Sequence, residues 1–217
     1  MNRSGAETLW EVASLLAREA ADVSRAAGRP APDLPPLLFF TDPDRTPRPW
    51  ETAERLPAGS GVVFRAFGAA DAREAGRRLR EATLRGGSLL LVGADAELAE
   101  AIGADGVHLP ERALSRAPTL AAARPDWRIT AAAHSAATLA ELQGVDAAVL
   151  SPVFRAGGAS AAKPALGVET FSPLARAAPL PVYALGGIDP GNARSLMGSG
   201  ACGIAAVSAI RVAFGPS

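Results

Sequence analysis

Leu37-Leu38-Phe39-Phe40-Thr41-Asp42 is a short apolar run that ends on two polar side chains. A run of this length, bounded on its C-terminal side by polar groups, fits a buried β-strand. No G-x-G-x-x-G turn follows it, which argues against the first strand of a dinucleotide-binding sheet. Seven similar runs come after it: Gly61–Phe64, Ser88–Val92, Gly106–Leu109, Ile129–Ala133, Ala147–Leu150, Val182–Leu185 and Gly203–Val207. Between most of them lie Ala/Arg/Glu-rich stretches of helical character, at 71–85, 95–103, 112–123, 135–143, 168–177 and 190–200. The piece at 43–59 is Pro-rich and reads least clearly as a helix. Alternating strand and helix implies parallel strands with right-handed crossovers, and eight such units close into an α/β (β/α)₈ TIM barrel. About 180 residues is compact for a fold whose usual size is ~250 residues.

Ahead of this rhythm, Leu9, Ala13, Leu16, Ala20 and Val23 recur at steps of four and three, marking one face of a helix. Ser4 and Glu7 have capping-box spacing in front of it, and Gly28 is its expected end. The stretch Gly28 to Pro36 carries four prolines and makes a stiff linker. The expected organisation is therefore an extra N-terminal helix and linker at 1–36, followed by one barrel domain at 37–217.

The 217 residues carry 22 Lys plus Arg against 22 Asp plus Glu. With no net charge there is no global field to gather nucleic acid or an anionic membrane, so neither is an expected partner. The single cysteine, Cys202, rules out an intrachain disulfide and any cysteine-pair zinc site. Its Gly/Ala surroundings suit a small packing residue. Glu11, Arg18 and Glu19 interrupt the N-terminal stretch, so no signal-peptide core is read there, and no apolar run approaches the ~20 residues of a membrane span. The expectation is a cytoplasmic protein.

Barrel active sites lie at the C-terminal ends of the strands. The residues that follow each run are Thr41 and Asp42, Arg65, Gly93 and Asp95, Glu111, His134, Ser151 through Lys163, Gly186-Gly187, and Ser208. Gly186-Gly187 after the seventh strand and Ser208-Ala209 after the eighth form the most specific pair. Paired glycines let the backbone approach an anion, and amides opening a short helix donate to a phosphate. A tight turn is the plain alternative. Arg65 and Lys163 are candidates for anion contact, each with the alternative of a solvated charge. Asp42 and Glu111 read as loop-solvating residues, and His108, between Val107 and Leu109, as a hydrogen-bonded core histidine. The Arg73–Arg85 stretch reads as an exposed helix with i,i+4 pairing.

Several ordered motifs together resemble thiamine phosphate synthase and its TenI-type relatives. They are Gly103-Ala104-Asp105-Gly106-Val107-His108-Leu109; Ser151-Pro152-Val153-Phe154 with Lys163 and Leu166-Gly167; Ala184-Leu185-Gly186-Gly187-Ile188 with Asn192; and Gly200 through Ile210. The resemblance runs from about Leu37 to Ile210. It implies a barrel of thiamine biosynthesis that binds a small phosphorylated substrate, thiazole phosphate or thiamine phosphate. Gly186, Gly187, Ser208 and Ala209 would hold the phosphate, and Arg65 and Lys163 would face a pyrophosphate. Synthases of this family couple the thiazole to a hydroxymethylpyrimidine pyrophosphate with magnesium, so magnesium is the implied cofactor.

The departures from the family pattern are concentrated on that chemistry. Val63-Phe64-Arg65-Ala66-Phe67 keeps the arginine of a Gln-x-Arg-Glu-Lys pattern but loses its glutamine and lysine. The Asn-Asp pair falls on Gly93-Ala94, the metal-binding aspartate near Ala113, and a serine on Ala132. The Thr-rich loop before the lysine reads Gly157 through Ala162. No metal ligand is assigned; Asp95 and Glu111 are the substitutes in reach. Phosphate binding is thus better preserved than the coupling chemistry. Two readings stand beside a synthase-like transferase. One is a TenI-type thiazole tautomerase, in which His134 after the fifth strand serves as acid and base. The other is a non-catalytic phosphate-ligand barrel whose N-terminal helix offers a surface for a partner or a second copy.

Overall fold

The computed structural model describes residues 4–157 and 162–216. Eight parallel strands close into a barrel in sequence order: β1 (Leu37–Phe40), β2 (Gly61–Phe64), β3 (Leu89–Gly93), β4 (Gly106–Leu109), β5 (Arg128–Ala133), β6 (Ala147–Leu150), β7 (Val182–Leu185) and β8 (Ala201–Ala206). β1 pairs with β8 to close the ring, with Leu37 opposite Ile204 and Phe39 opposite Ala206. This is the expected TIM barrel, and strand bounds shift from those read in the sequence by at most two residues.

Alternation along each strand sorts the apolar side chains into two layers. Leu38, Phe40, Val63, Leu91, Val149, Tyr183 and Cys202 fill the barrel interior. Leu37, Phe39, Val62, Phe64, Leu90 and Ile204 face the surrounding helices. Those helices are α1 (Gly5–Ala26), α2 (Pro49–Ala53), α3 (Ala72–Gly86), α4 (Ala96–Ala101), α5 (Ala117–Ala123), α6 (Ala136–Glu141), α7 (Gly167–Ala177) and α8 (Ser208–Phe214). On α3, Arg78 pairs with Glu74 one turn away at 3.0 Å, as its spacing predicts. Arg80 instead reaches Asp105 at 2.8 Å, tying α3 to the loop before β4.

The helix expected at 190–200 is a correction: only a 3₁₀ turn, Ala193–Leu196, forms between β7 and β8. Asp189 Oδ1 accepts from the amides of Gly191 and Asn192 in a local turn, and Gly198 and Gly200 both adopt positive φ, so the segment cannot continue as a helix. α1 packs along β8, flanked by α8 and this 3₁₀ turn. Its Leu9, Val12, Ala13 and Leu16 are buried in the same core as the barrel helices. Ser4 and Glu7 cap it reciprocally, and Glu11 meets Arg194 at 2.7 Å. The extra helix therefore fills space on the barrel wall that the β7–β8 connection leaves open.

The linker closes the bottom of the barrel. The Tyr183 hydroxyl, fully buried, donates to the Pro35 carbonyl at 2.5 Å, and the Ile204 amide donates to the Pro36 carbonyl at 2.9 Å. A cavity of about 1000 Å³ also lies at this end, between the C-terminal half of α1, Pro30–Leu34 and Arg128, Asp146 and Cys202. It is remote from the strand ends where the sequence places chemistry. Burial pushes the Cys202 thiol well above its ordinary range, as expected of a packing residue. No helix among the described residues is long and apolar enough to cross a membrane.

Candidate active site at the strand C-termini

His134 is the first residue after β5, and its ring orientation is set by chemistry rather than by packing alone. Its Nδ1 lies 2.8 Å from the Ser151 carbonyl oxygen at the end of β6. A carbonyl can only accept, so Nδ1 carries a proton, and in this tautomer the lone pair lies at Nε2. Lys163 Nζ lies 3.0 Å from that Nε2 and donates to it. Glu111 Oε2, from the loop after β4, stands 3.8 Å from the same atom. One basic nitrogen thus faces an ammonium and a carboxylate, all partly open to solvent.

Glu111 is held from the other side. Its Oε1 accepts from the Thr138 hydroxyl, and Thr138 in turn is fixed by Ser135, whose Oγ caps α6 through the Thr138 amide at 3.1 Å. The reading of Glu111 as a loop-solvating residue misses this contact. The signal that was available is the Ser135-x-x-Thr138 spacing, which marks an N-cap directly after His134.

Arg65 follows β2 directly, and β2 lies three strands from β5 one way round the closed barrel and five the other. Its amide donates to Thr41 Oγ1 at 2.9 Å and its Nε to the Thr41 carbonyl at 2.7 Å. Its Nη2 is buried without a hydrogen-bond partner, 3.8 Å from Asp42 Oδ2. Burial lowers the guanidinium to about 10, against which the Asp42 carboxylate acts, so Arg65 remains a cation at neutral pH. Asp42 is itself held below the usual carboxylate range, chiefly by the Arg45 side chain, which donates to it at 2.9 Å.

His108 points into the barrel and is a core histidine, as its strand alternation suggests. Its Nδ1 meets Thr130 Oγ1 at 3.0 Å and its ring stands edge-on to Phe40, centroids 4.9 Å apart. Burial, with Arg65 nearby, lowers its pKa to about 3, so it is neutral in the folded protein. The unfolded chain, with a value near 6.5, binds this proton first on acidification. Stability associated with His108 is therefore complete above about pH 6.5 and is lost as pH falls from there toward 3. Thermal melts between pH 7 and 4 should show His108→Gln with a shallower decline than the parent; parallel declines would contradict it.

The glycines after β7 adopt conformations that other residues rarely take: φ is +106° at Gly186 and +65° at Gly187. A Cβ at Gly186 would sit 2.7 Å from the Cβ of Pro152, so the close approach of the two loops also requires glycine. Asn192 Nδ2 donates to the Gly187 carbonyl at 2.8 Å and pins the turn. Next to it α8 begins at Ser208, and no side chain caps its first amides. The sequence-predicted residues therefore fall into three places around one mouth: Gly186 and Gly187 beside Ser208 and Ala209, Arg65 with Thr41 and Asp42, and His134 with Lys163. Of the loop 157–162, residues 158–161 lie outside the described residues.

The carboxylates near the mouth do not fit a divalent cation. Asp42 is engaged by Arg45, Asp95 accepts from the Leu98 amide at 2.9 Å as the cap of α4, and Glu111 is bound by Thr138. They sit on three different loops, and among the described residues no three His, Cys, Asp or Glu side chains converge on a common point. Magnesium in such sites normally takes one or two free carboxylates together with substrate phosphates.

The model of the thiamine monophosphate synthase family matches residues 40–210, most of the chain. This chain belongs to that family. It is 33% identical to the thiamine-phosphate synthase of Chlorobium luteolum over 86% of this chain and 90% of that one. Over a shorter stretch, 63% of this chain, it is 38% identical to the thiamine biosynthesis bifunctional protein ThiM/ThiE of Symbiobacterium thermophilum, of which it spans only 29%. Among solved structures, the thiamine phosphate pyrophosphorylase of Pyrococcus furiosus superposes with a TM-score of 0.66 at 26% identity, covering 84% of this chain and 93% of that one. The recognised motifs and the barrel thus point to the same family, and with it to thiamine biosynthesis.

Proposed function

We propose that this family member binds a thiazole phosphate and moves a proton on it, with His134 Nε2 as both acid and base. The observation that carries the reading is the convergence of Lys163 at 3.0 Å and Glu111 at 3.8 Å on that single lone pair. The phosphate lies against the amides of Gly186, Gly187, Ser208 and Ala209, where backbone donors supply what a neutral chain does not supply as net charge. Lys163 caps Nε2 in the free protein and is drawn to the anionic substrate, which bares the base. Nε2 then takes a proton from one carbon of the thiazole system, and the imidazolium faces Glu111. The same nitrogen returns a proton at a second position, so the atoms balance and no redox partner is needed.

Coupling to a pyrimidine pyrophosphate is the second reading, favoured by the names of the relatives and by the cation at Arg65. It asks for a magnesium site that the available carboxylates do not fit. The test incubates the protein with the thiazole phosphate tautomer alone, and separately with thiazole phosphate, pyrimidine pyrophosphate and magnesium. Isomerisation without appreciable thiamine phosphate is the expected result. Rapid thiamine phosphate formation would reverse the order of the two readings, whereas calorimetric binding without either turnover would support a non-catalytic barrel.

The substrate is a small phosphorylated heterocycle, and neither nucleic acid nor membrane is required. The first half of the apolar stripe of α1, through Leu16, is used on the barrel wall, whereas Val23 at its C-terminal end stays exposed.

A further inference from the structure

Phe67 is a large apolar side chain with 71% of its surface exposed, on the loop just beyond β2. Its backbone lies at φ +49°, a conformation that costs a bulky residue energy and that glycine or asparagine adopts more readily. The Arg65 guanidinium lies against the ring, but most of the side chain stays in solvent, so burial does not offset that cost. Strain at an exposed aromatic points to a contact made when something else is bound.

Its neighbours say where. The Arg65 guanidinium carbon lies 5.4 Å from the Phe67 ring centroid and 5.4 Å from that of Phe40. Phe40 is fully buried and meets His108 edge-on. His108, Phe40, Arg65 and Phe67 therefore form a continuous stack rising from the barrel interior to the solvent at the mouth, with Phe67 as its open end. β2 stands two places from β8 around the closed barrel. At a strand spacing of ~4.8 Å, that sets the ends of β2 and β8 about 10 Å apart. A phosphate seated on the amides after β8, carrying a ring on a two-carbon arm, spans this distance.

We propose that Phe67 is a specificity-determining residue that stacks on the planar heteroaromatic ring of the bound phosphate ester. The Arg65 cation backs the Phe67 ring from within the stack, and the open aromatic face of Phe67 favours aromatic over aliphatic ligands. The inference rests on the reading of a phosphorylated thiazole as substrate, and extends it by naming the group that selects the ring.

The test measures binding by calorimetry rather than turnover, with thiazole phosphate, phenyl phosphate, glycerol phosphate and inorganic phosphate, on the parent, Phe67→Ala and Phe67→Tyr. Loss of the ring should weaken the two ring-bearing ligands about three- to tenfold and leave the other two unchanged, and Phe67→Tyr should restore the preference. Phe67→Gly, which suits the positive φ, should melt above Phe67→Ala while losing the same selectivity. If Phe67→Ala binds all four ligands as the parent does, or weakens all four equally, the proposal is overturned. If the parent ignores thiazole phosphate but prefers phenyl phosphate through Phe67, the stacking role stands and the substrate reading falls.

Discussion

Replacing His134 with alanine should lower the rate constant for thiazole phosphate isomerisation by about 10²- to 10⁴-fold, with the dissociation constant for thiazole phosphate changed no more than a few-fold. The large effect on rate follows from the ring's role as the one group, among the described residues, placed to both take and return the proton. Lys163, at 3.0 Å, is an ammonium that donates, and Glu111 lies 3.8 Å from the imidazole with one oxygen already bound by Thr138. The small effect on binding follows from geometry, because the phosphate amides belong to the β7 and β8 loops, two and three strands round from β5. Removing the ring also frees the Ser151 carbonyl from its hydrogen bond; Ser151 is buried, but the partly exposed His134 ring leaves a space open to the mouth in which a water can replace Nδ1. His134→Ala should therefore melt within a few degrees of the parent. Single-turnover rates and calorimetry on the same preparation check both halves. Equal rates for the two proteins would remove His134 from the mechanism, and a parallel loss of binding and rate would make it a ligand-positioning residue instead.

The elements of this barrel were readable wherever a physical requirement is local. Leu37–Phe40 and Val182–Leu185 announce themselves because strands covered on both faces must be apolar throughout. Gly186-Gly187 is readable because only glycine tolerates both the positive φ and the approach of Pro152. The helix expected at 190–200 was a misreading of signals that are local: Pro190, Gly191, Gly198 and Gly200 break it and Asp189 folds a turn at its start. The active-site cluster was only half legible because part of it is not local. His134 follows a strand and is visible as such, whereas its meeting with Glu111 needs β4 and β5 to be neighbours in a particular register. Phe67 drew no attention as a residue of its own, since neither exposure nor backbone strain is written in composition.

That β4–β5 register rests on Gly106, and Gly106→Ala should cost about 3 to 5 kcal/mol of stability. Gly106 lies opposite Arg128 at the start of both strands, with φ at +155°. A Cβ built there would land on the carbonyl oxygen of Arg128, with that residue's backbone nitrogen only 2.7 Å away. Backbone of a paired strand cannot swing aside as the end of a side chain can, so the strands must part. For a chain of this size the melting temperature should fall by roughly 10 °C, taking ~2–4 °C per kcal/mol. Gly28→Ala is the internal control. It shares a positive φ of +68°, but nothing lies within 4 Å of its added Cβ, so only the conformational cost of about 1 kcal/mol applies. The difference between the two variants combines the clash with Arg128 and the higher conformational cost at φ +155°. The functional consequence follows from the same register, because His108 pairs with Thr130 and Leu109 with Ala131 further along these strands, immediately before Glu111 and His134. Parting the strands at their start displaces the carboxylate and the imidazole relative to each other, so isomerisation should fall even in molecules that remain folded. A Gly106→Ala protein that melts with the Gly28→Ala control would show that the two strands can separate locally at little cost, and that the register of the site is set elsewhere.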